Sequence, residues 1–137
     1  MIVLDTNVVS ELMKIQPDDK VGNWLRSIGN TTLTTTAITV MEIGYGLQLL
    51  PEGHRKVDLV GRCASLISAL AVLPLDENAA SRAGRFQAMR RAAGFVSGAS
   101  DMMIAGIAES AGAALATCNI KDFEGLPVAL INPWQAQ

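Results

Sequence analysis

The sequence predicts an α/β domain built on a mainly parallel sheet, and three observations carry that prediction. Short apolar or β-branched runs alternate with longer segments whose apolar residues recur every three or four positions. The first run, Ile2-Val3-Leu4, is apolar at every residue, as a strand covered on both faces requires. Half of the 137 residues are hydrophobic, enough to build a core, and no linker, repeat or low-complexity stretch interrupts them. Residues 1–137 are therefore expected to form one domain.

The opening strand ends at Asp5-Thr6-Asn7, a turn-forming triplet, and a short helix is expected to run on to Lys14. Pro17-Asp18-Asp19 starts a second helix, with Val21, Trp24, Leu25 and Ile28 at helical spacing. Thr31 to Thr36 is rich in β-branched residues and reads as a strand. Ile38 to Leu50 is helical and stops at Pro51. Gly53 to Leu70 is helical too, with Leu59, Val60, Cys63, Leu66, Ile67 and Leu70 on one face. Ala71 to Leu75 forms a short strand. Asp76 caps a helix that runs to Gly94, and Ser100 caps another that ends near Gly112. Ala114–Thr117 and Pro127–Ile131 complete the strands.

Composition removes several classes of function. Met1-Ile2-Val3-Leu4-Asp5 has neither the basic start nor the long apolar run of a secretory signal. The longest apolar stretch, Leu66 to Leu75, contains Ser68 and Pro74 and is too short to span a bilayer. A cytoplasmic protein with no membrane partner is expected. Two cysteines, Cys63 and Cys118, and one histidine, His54, make neither a disulfide framework nor a nitrogen–sulfur metal site. Any metal must then be held by oxygen. The formal charge of −2 offers no general attraction for nucleic acid, so a polyanion would need a local basic patch or bound cations.

Four acids stand where such chemistry is done. In open parallel sheets, sites lie beyond the carboxyl ends of the strands. Asp5 directly follows the first strand, and Asp122 follows the strand Ala114–Thr117. Asp101 begins a helix that faces the same edge. Glu42 lies on or beside the apolar face of its helix, where an ionised carboxylate without a partner is costly. Each acid also has a plain structural reading: a helix cap for Asp5, an edge-exposed Glu42, a dipole-stabilising Asp101, an Asx-turn at Asp122. Converging carboxylates would raise one another's pKa unless divalent cations lay among them, and an all-oxygen set suits Mg²⁺ or Mn²⁺.

These segments also resemble a known family. Ile2-Val3-Leu4-Asp5-Thr6-Asn7 resembles the opening strand and Asp-Thr-Asn motif of PIN domains. Ala37 to Gly46, with Glu42 inside it, is similar to their second motif. Ser100-Asp101-Met102-Met103-Ile104-Ala105 is similar to the third, and Thr117-Cys118-Asn119-Ile120-Lys121-Asp122-Phe123 to the fourth. The ending Ile131-Asn132-Pro133-Trp134 resembles that of the FitB-like branch of VapC toxins. The resemblance implies a PIN fold, with a mainly parallel central sheet flanked by helices on both faces. It implies Mg²⁺- or Mn²⁺-dependent RNA cleavage, a homodimer, and inhibition by a small antitoxin protein. Asp5 and Asp101 would be the metal ligands, Glu42 and Asp122 would complete the catalytic acids, and the products would carry a 3′-hydroxyl and a 5′-phosphate. Thr6 and Asn119 would support a carboxylate or the phosphate, or simply shape turns. Two positions depart from the family pattern: Cys118 stands where an Arg is common, and Asn119 where some members carry an acid.

Arg82, Arg85, Arg90 and Arg91 put four positive charges on one helix, either a solvated face or a track for RNA or an acidic antitoxin segment; Arg82 and Arg85 are the first candidates, Lys14 and Arg26 weaker ones. His54 is expected in a surface loop, Met102 and Met103 in helix packing, Cys63 in the core, and Trp24 and Trp134 as space-fillers. A phosphatase is disfavoured because Asp5-Thr6-Asn7 lacks a second acid. A non-catalytic PIN-like module that binds RNA or a protein partner is the competing reading.

Overall fold

A computed structural model describes residues 1–135. Five strands form one sheet: β1 (Ile2–Leu4), β2 (Leu33–Thr36), β3 (Ala71–Leu73), β4 (Ala114–Ala116) and β5 (Leu130–Ile131). Their order is β3-β2-β1-β4-β5, and every neighbouring pair is parallel. The order reverses at β1, whose neighbours β2 and β4 lie in opposite directions along the sheet. A crevice opens where such a reversal occurs, outside the carboxyl ends of the strands.

Six helices cover the two faces: α1 (Thr6–Leu12), α2 (Asp19–Ser27), α3 (Ala37–Gln48), α4 (His54–Ser68), α5 (Glu77–Ala92) and α6 (Ala99–Ser110). Side chains alternate across β1, so the central strand feeds two cores. Val3 joins Phe86 of α5, Met102 and Ile104 of α6, and Leu115 of β4. Ile2 and Leu4 join Val8 and Val9 of α1, Trp24 of α2 and Ile43 of α3. Cys63 is half-buried against this second core, and Trp134 packs there as well. Both methionines expected in packing are so used, Met102 fully buried and Met103 beside it.

The tightest contact lies between α5 and α6. A Cβ on Gly106 would come within 2.5 Å of the Ala79 carbonyl oxygen and 3.0 Å of the Ala83 nitrogen. Glycine is required there because backbone, not a movable side chain, occupies the space. This contact seats α6, which carries Asp101 in its first turn.

Several expected boundaries move. The third strand stops at Leu73, because Pro74 has no N–H to offer a ladder, and the fifth begins only at Leu130, after the Val128 N–H turns back to the Leu126 carbonyl at 2.8 Å. Ser100 does not cap α6: the cap position is Gly98, which has no side chain to offer, and Ser100 lies within the helix. Asp76 does cap α5, accepting from the Ala79 N–H at 2.8 Å. Helix α5 ends at Ala92, with Gly94 at φ +92° just beyond it. His54 is the exposed first residue of α4 rather than part of the loop before it. Among the described residues, no helix is long and apolar enough to cross a membrane.

Candidate active site

Asp5 lies at the point where the strand order reverses. Its backbone N–H continues the ladder to the Ala116 carbonyl at 2.9 Å, which fixes the residue between β1 and β4. Its side chain is almost wholly buried, at 3% exposure, so its oxygens need partners. Oδ1 accepts from the Thr6 N–H at 2.8 Å. Oδ2 accepts from the Thr117 hydroxyl at 2.8 Å and from Asn7 Nδ2 at 3.1 Å. Asp5 is thus the cap of α1, placed at the carboxyl end of the strand where the order reverses.

Glu42 reaches the same region from α3. Its Oε1 accepts a 2.6 Å hydrogen bond from the Thr6 hydroxyl. That hydroxyl lies 3.1 Å from the Thr39 hydroxyl, and Thr36 donates to Thr39 at 3.3 Å. Since Thr6 gives its proton to Glu42, Thr39 must be the donor to Thr6. A directed line of hydroxyls, Thr36 to Thr39 to Thr6, therefore ends on the carboxylate.

Asp101 stands in the first turn of α6, half-buried, and no side-chain hydrogen bond supports its charge. Burial, together with the charges of Asp5, Asp122 and Glu42, pushes its carboxyl up to about 6. Burial also raises Asp5 above its ordinary value, against the opposing pull of Thr117, Thr6 and Asn7. All four acids thus share one electrostatic neighbourhood. Asp122 is the outermost: it is exposed, in a 3-10 turn at Ile120–Phe123, and borders a cleft of about 480 Å³ that Asn119, Lys121 and Asn132 also line.

The chemistry of this donor set fits a hard divalent cation. The donors are all oxygens, and the charges of Asp5, Asp122 and Glu42 all bear on Asp101. Among the described residues no three acids stand close enough to coordinate one ion as they are. The set suits a cation that keeps several of its own waters, as Mg²⁺ does, rather than one needing a complete protein cage.

The supporting residues are partly as expected. Thr6 touches both inner acids, through its N–H to Asp5 and its hydroxyl to Glu42. Asn119 joins through its backbone: its N–H donates to Thr117 Oγ1 at 3.0 Å, while its side-chain oxygen faces only Cys118 Sγ at 3.5 Å. Cys118 is exposed, and burial followed by the Asp5 charge raises its thiol, so it is not primed as a nucleophile. Sequence reasoning missed Asn7, Thr39 and Thr117. Asn7 clamps Asp5, Thr117 and the Cys118 N–H together. A Thr closing a strand that pairs with the Asp5 strand was the available signal.

The arginine helix needs correction. Arg82 is paired with Glu109 of α6 and also donates to Asn78 at 3.0 Å, so its charge is already engaged. Arg85 is exposed, 5.7 Å from the Phe86 ring centroid. Arg90 is not on a solvated face at all; it is 6% exposed and bonded inside the protein.

The PIN-domain family model matches residues 2–127. The chain belongs to the PIN-domain family. It is 39% identical to the VapC ribonuclease Y4jK of Sinorhizobium fredii, over 98% of this chain and 99% of the relative. It is 35% identical to the toxin FitB of Neisseria gonorrhoeae, over 98% and 99% of the two chains. A crystal structure of FitAcB from Neisseria gonorrhoeae matches with a TM-score of 0.89 at 34% identity, covering 99% of this chain and 100% of the other. The DNA-bound VapBC of Salmonella typhimurium matches with a TM-score of 0.80 at 29% identity, over 96% and 97%. The PIN-domain fold expected from the motifs is the fold found.

Proposed function

We propose that this PIN-domain chain is a divalent-metal-dependent endoribonuclease and the toxin of a toxin–antitoxin pair. One observation carries the catalytic part: the charges of Asp5, Asp122 and Glu42 converge on half-buried Asp101 near the reversal of strand order, and burial together with those charges pushes Asp101 up to about 6. That arrangement is unfavourable in isolation and favourable with cations among the carboxylates. Asp5 and Asp101 would hold Mg²⁺ or Mn²⁺. Such a cation, when bound, supplies charge neutralisation for a phosphodiester and activation of water near neutral pH.

The protein's own residues supply position. Thr117, Asn7 and the Thr6 N–H fix both oxygens of Asp5 and leave one acceptor site, on Oδ1, for a cation. Thr6 holds Glu42 by one oxygen, Oε1, so Oε2 is available to orient a water. Asp101, without a hydrogen-bond partner of its own, is the acid best able to accept a proton near pH 6. The cleft bordered by Asp122, Asn119 and Lys121 has room for a nucleotide next to the broken bond.

The toxin role rests on the relatives, whose solved structures include FitAB and VapBC complexes. The partner would be a cognate antitoxin protein, the working form a homodimer, and the compartment the cytoplasm. Arg85, exposed on α5, is the better candidate for an RNA or antitoxin contact than Arg82, which Glu109 engages.

The test mixes purified protein with tRNA and rRNA in Mg²⁺, Mn²⁺ or EDTA, beside an Asp5→Ala variant. Cleavage in either metal, lost in EDTA and in the variant, is the expected result. Tight RNA binding with no cleavage in any metal would overturn the enzymatic reading and favour the non-catalytic module. Equal cleavage in all lanes would mean a contaminating nuclease and would leave this chain with no activity of its own.

A further inference from the structure

The molecule has one buried cation among the described residues, Arg90, and no carboxylate pairs with it. Burying a guanidinium without a counter-charge is unfavourable unless its donors are met. Here they are met by neutral groups from two other segments. Nε donates to Ser97 Oγ at 2.9 Å, and one terminal nitrogen donates to the Glu124 carbonyl oxygen at 2.8 Å. The guanidinium carbon Cζ lies over the Phe95 ring, 4.4 Å from its centroid.

Those segments are not arbitrary. Ser97 lies four residues before Asp101, and Glu124 two residues after Asp122. Both acid-bearing elements also begin without a side-chain cap: α6 at Gly98 and the 3-10 turn at Asn119. By contrast, the helices next to Asp5 and Thr36 are capped by those residues themselves. The first turn of α6 has no side-chain cap, and the 3-10 turn is held at its start, where the Asn119 N–H donates to Thr117 Oγ1. The end of α5 that presents Arg90 is itself firmly closed. Gly94 takes φ +92°, its N–H reaches the Arg91 carbonyl, and the Phe95 N–H reaches the Arg90 carbonyl, the double bond pattern of a Schellman stop.

We propose that Arg90 is a positioning residue for the acidic site: it ties the segment entering Asp101 to the segment leaving Asp122 and so sets the separation of those two carboxylates. The inference rests on the reading of the acidic crevice as the metal site. It explains why arginine stands at this position. A lysine ammonium can give hydrogen bonds but cannot span two acceptors with a planar fork while stacking on a ring.

The test uses the full chain with Arg90→Met, Arg90→Lys and Ser97→Ala, and with Arg82→Met as a control on the same helix. Folding is followed by circular dichroism and urea denaturation, Mn²⁺ binding by calorimetry without RNA, and the Asp101 carboxyl titration by carbon NMR in EDTA. Arg90→Met is expected to weaken Mn²⁺ binding about tenfold or more and to lower the Asp101 titration midpoint in part, as Asp122 moves away while the burial that chiefly raises it remains. Arg90→Lys should recover part of both effects. Arg82→Met should lose stability yet leave both readouts unchanged. Wild-type Mn²⁺ affinity and an unmoved Asp101 titration in folded Arg90→Met would overturn the proposal. If Arg90→Met does not fold, Ser97→Ala decides: a shift of about threefold or more in Mn²⁺ affinity supports the clamp, and none overturns it. If the wild-type protein binds neither Mn²⁺ nor Mg²⁺, the metal reading fails, and the NMR titration still decides whether Arg90 spaces the acids.

Discussion

Replacing Asp101 with Asn separates what the acidic crevice does for function from what it does to stability. In the ion-free protein the Asp101 carboxyl is pushed up from 3.8 to about 6, first by burial and then by the charges of Asp5, Asp122 and Glu42. A folded-state pKa above the unfolded one means that the fold prefers the protonated acid. That preference is fully present below pH 3.8 and is lost as pH rises through about 6. Above pH 6 the ionised Asp101 therefore works against the fold. The shift taken at face value would correspond to about 3 kcal/mol, but the group is only half-buried and solvent screens much of it, so about 1 kcal/mol is the working magnitude. Asp101→Asn keeps the shape, removes the charge, and should raise stability at pH 8 in EDTA by that amount, or about 3 °C in Tm for a chain of this length. At pH 4 most of the gain should disappear, because the folded wild-type acid is then already neutral. The same variant should lose Mn²⁺ binding and RNA cleavage. Urea denaturation of both proteins at pH 4 and pH 8 in EDTA provides the check. A variant less stable than wild type at pH 8, or equally stabilised at both pH values, would refute the claim that burial and neighbouring charge disfavour the ionised Asp101 in the fold.

Further outcomes follow from the same contacts. Wild-type affinity for Mn²⁺ should fall about tenfold for each pH unit below about 6, as protons compete for Asp101, with proton release visible in calorimetry in buffers of different ionisation enthalpy. Gly106→Ala places a methyl 2.5 Å from the Ala79 carbonyl oxygen. The clash should outweigh the gain in helix propensity, a net loss of about 2 kcal/mol or 7 °C in thermal denaturation, and a stabilised variant would contradict the tight α5–α6 contact. Thr117→Val removes the hydroxyl that donates to Asp5 and accepts from Asn7, and should weaken metal binding while costing roughly 1–3 kcal/mol of stability in urea. Arg82→Ala breaks a partly exposed pair with Glu109 and should cost under about 1 kcal/mol. It should change RNA binding less than Arg85→Ala does, as filter binding can measure.

The amino-acid sequence by itself determined the alternation of strands and helices, the parallel class of sheet, and the candidate acids. These features are written in local patterns: an all-apolar strand at Ile2–Leu4, apolar periodicity in the helices, and acids just past strand ends. It could not determine which structural and functional readings excluded one another. Asp5 caps α1 and binds Thr117 of the neighbouring strand's end at once, because its two oxygens have lone pairs for both. Tertiary structure alone brought Thr6 against Glu42 across 36 positions of sequence, and Thr117 against Asp5 across 112. It also drew Arg90 out of an apparently basic helix face and into the interior, where a neighbouring loop and a distant carbonyl meet its donors. Charge and spacing along a helix look the same for Arg82, Arg85 and Arg90. Their fates differ because burial and hydrogen-bond partners depend on what other segments pack against each position, and no local pattern records that.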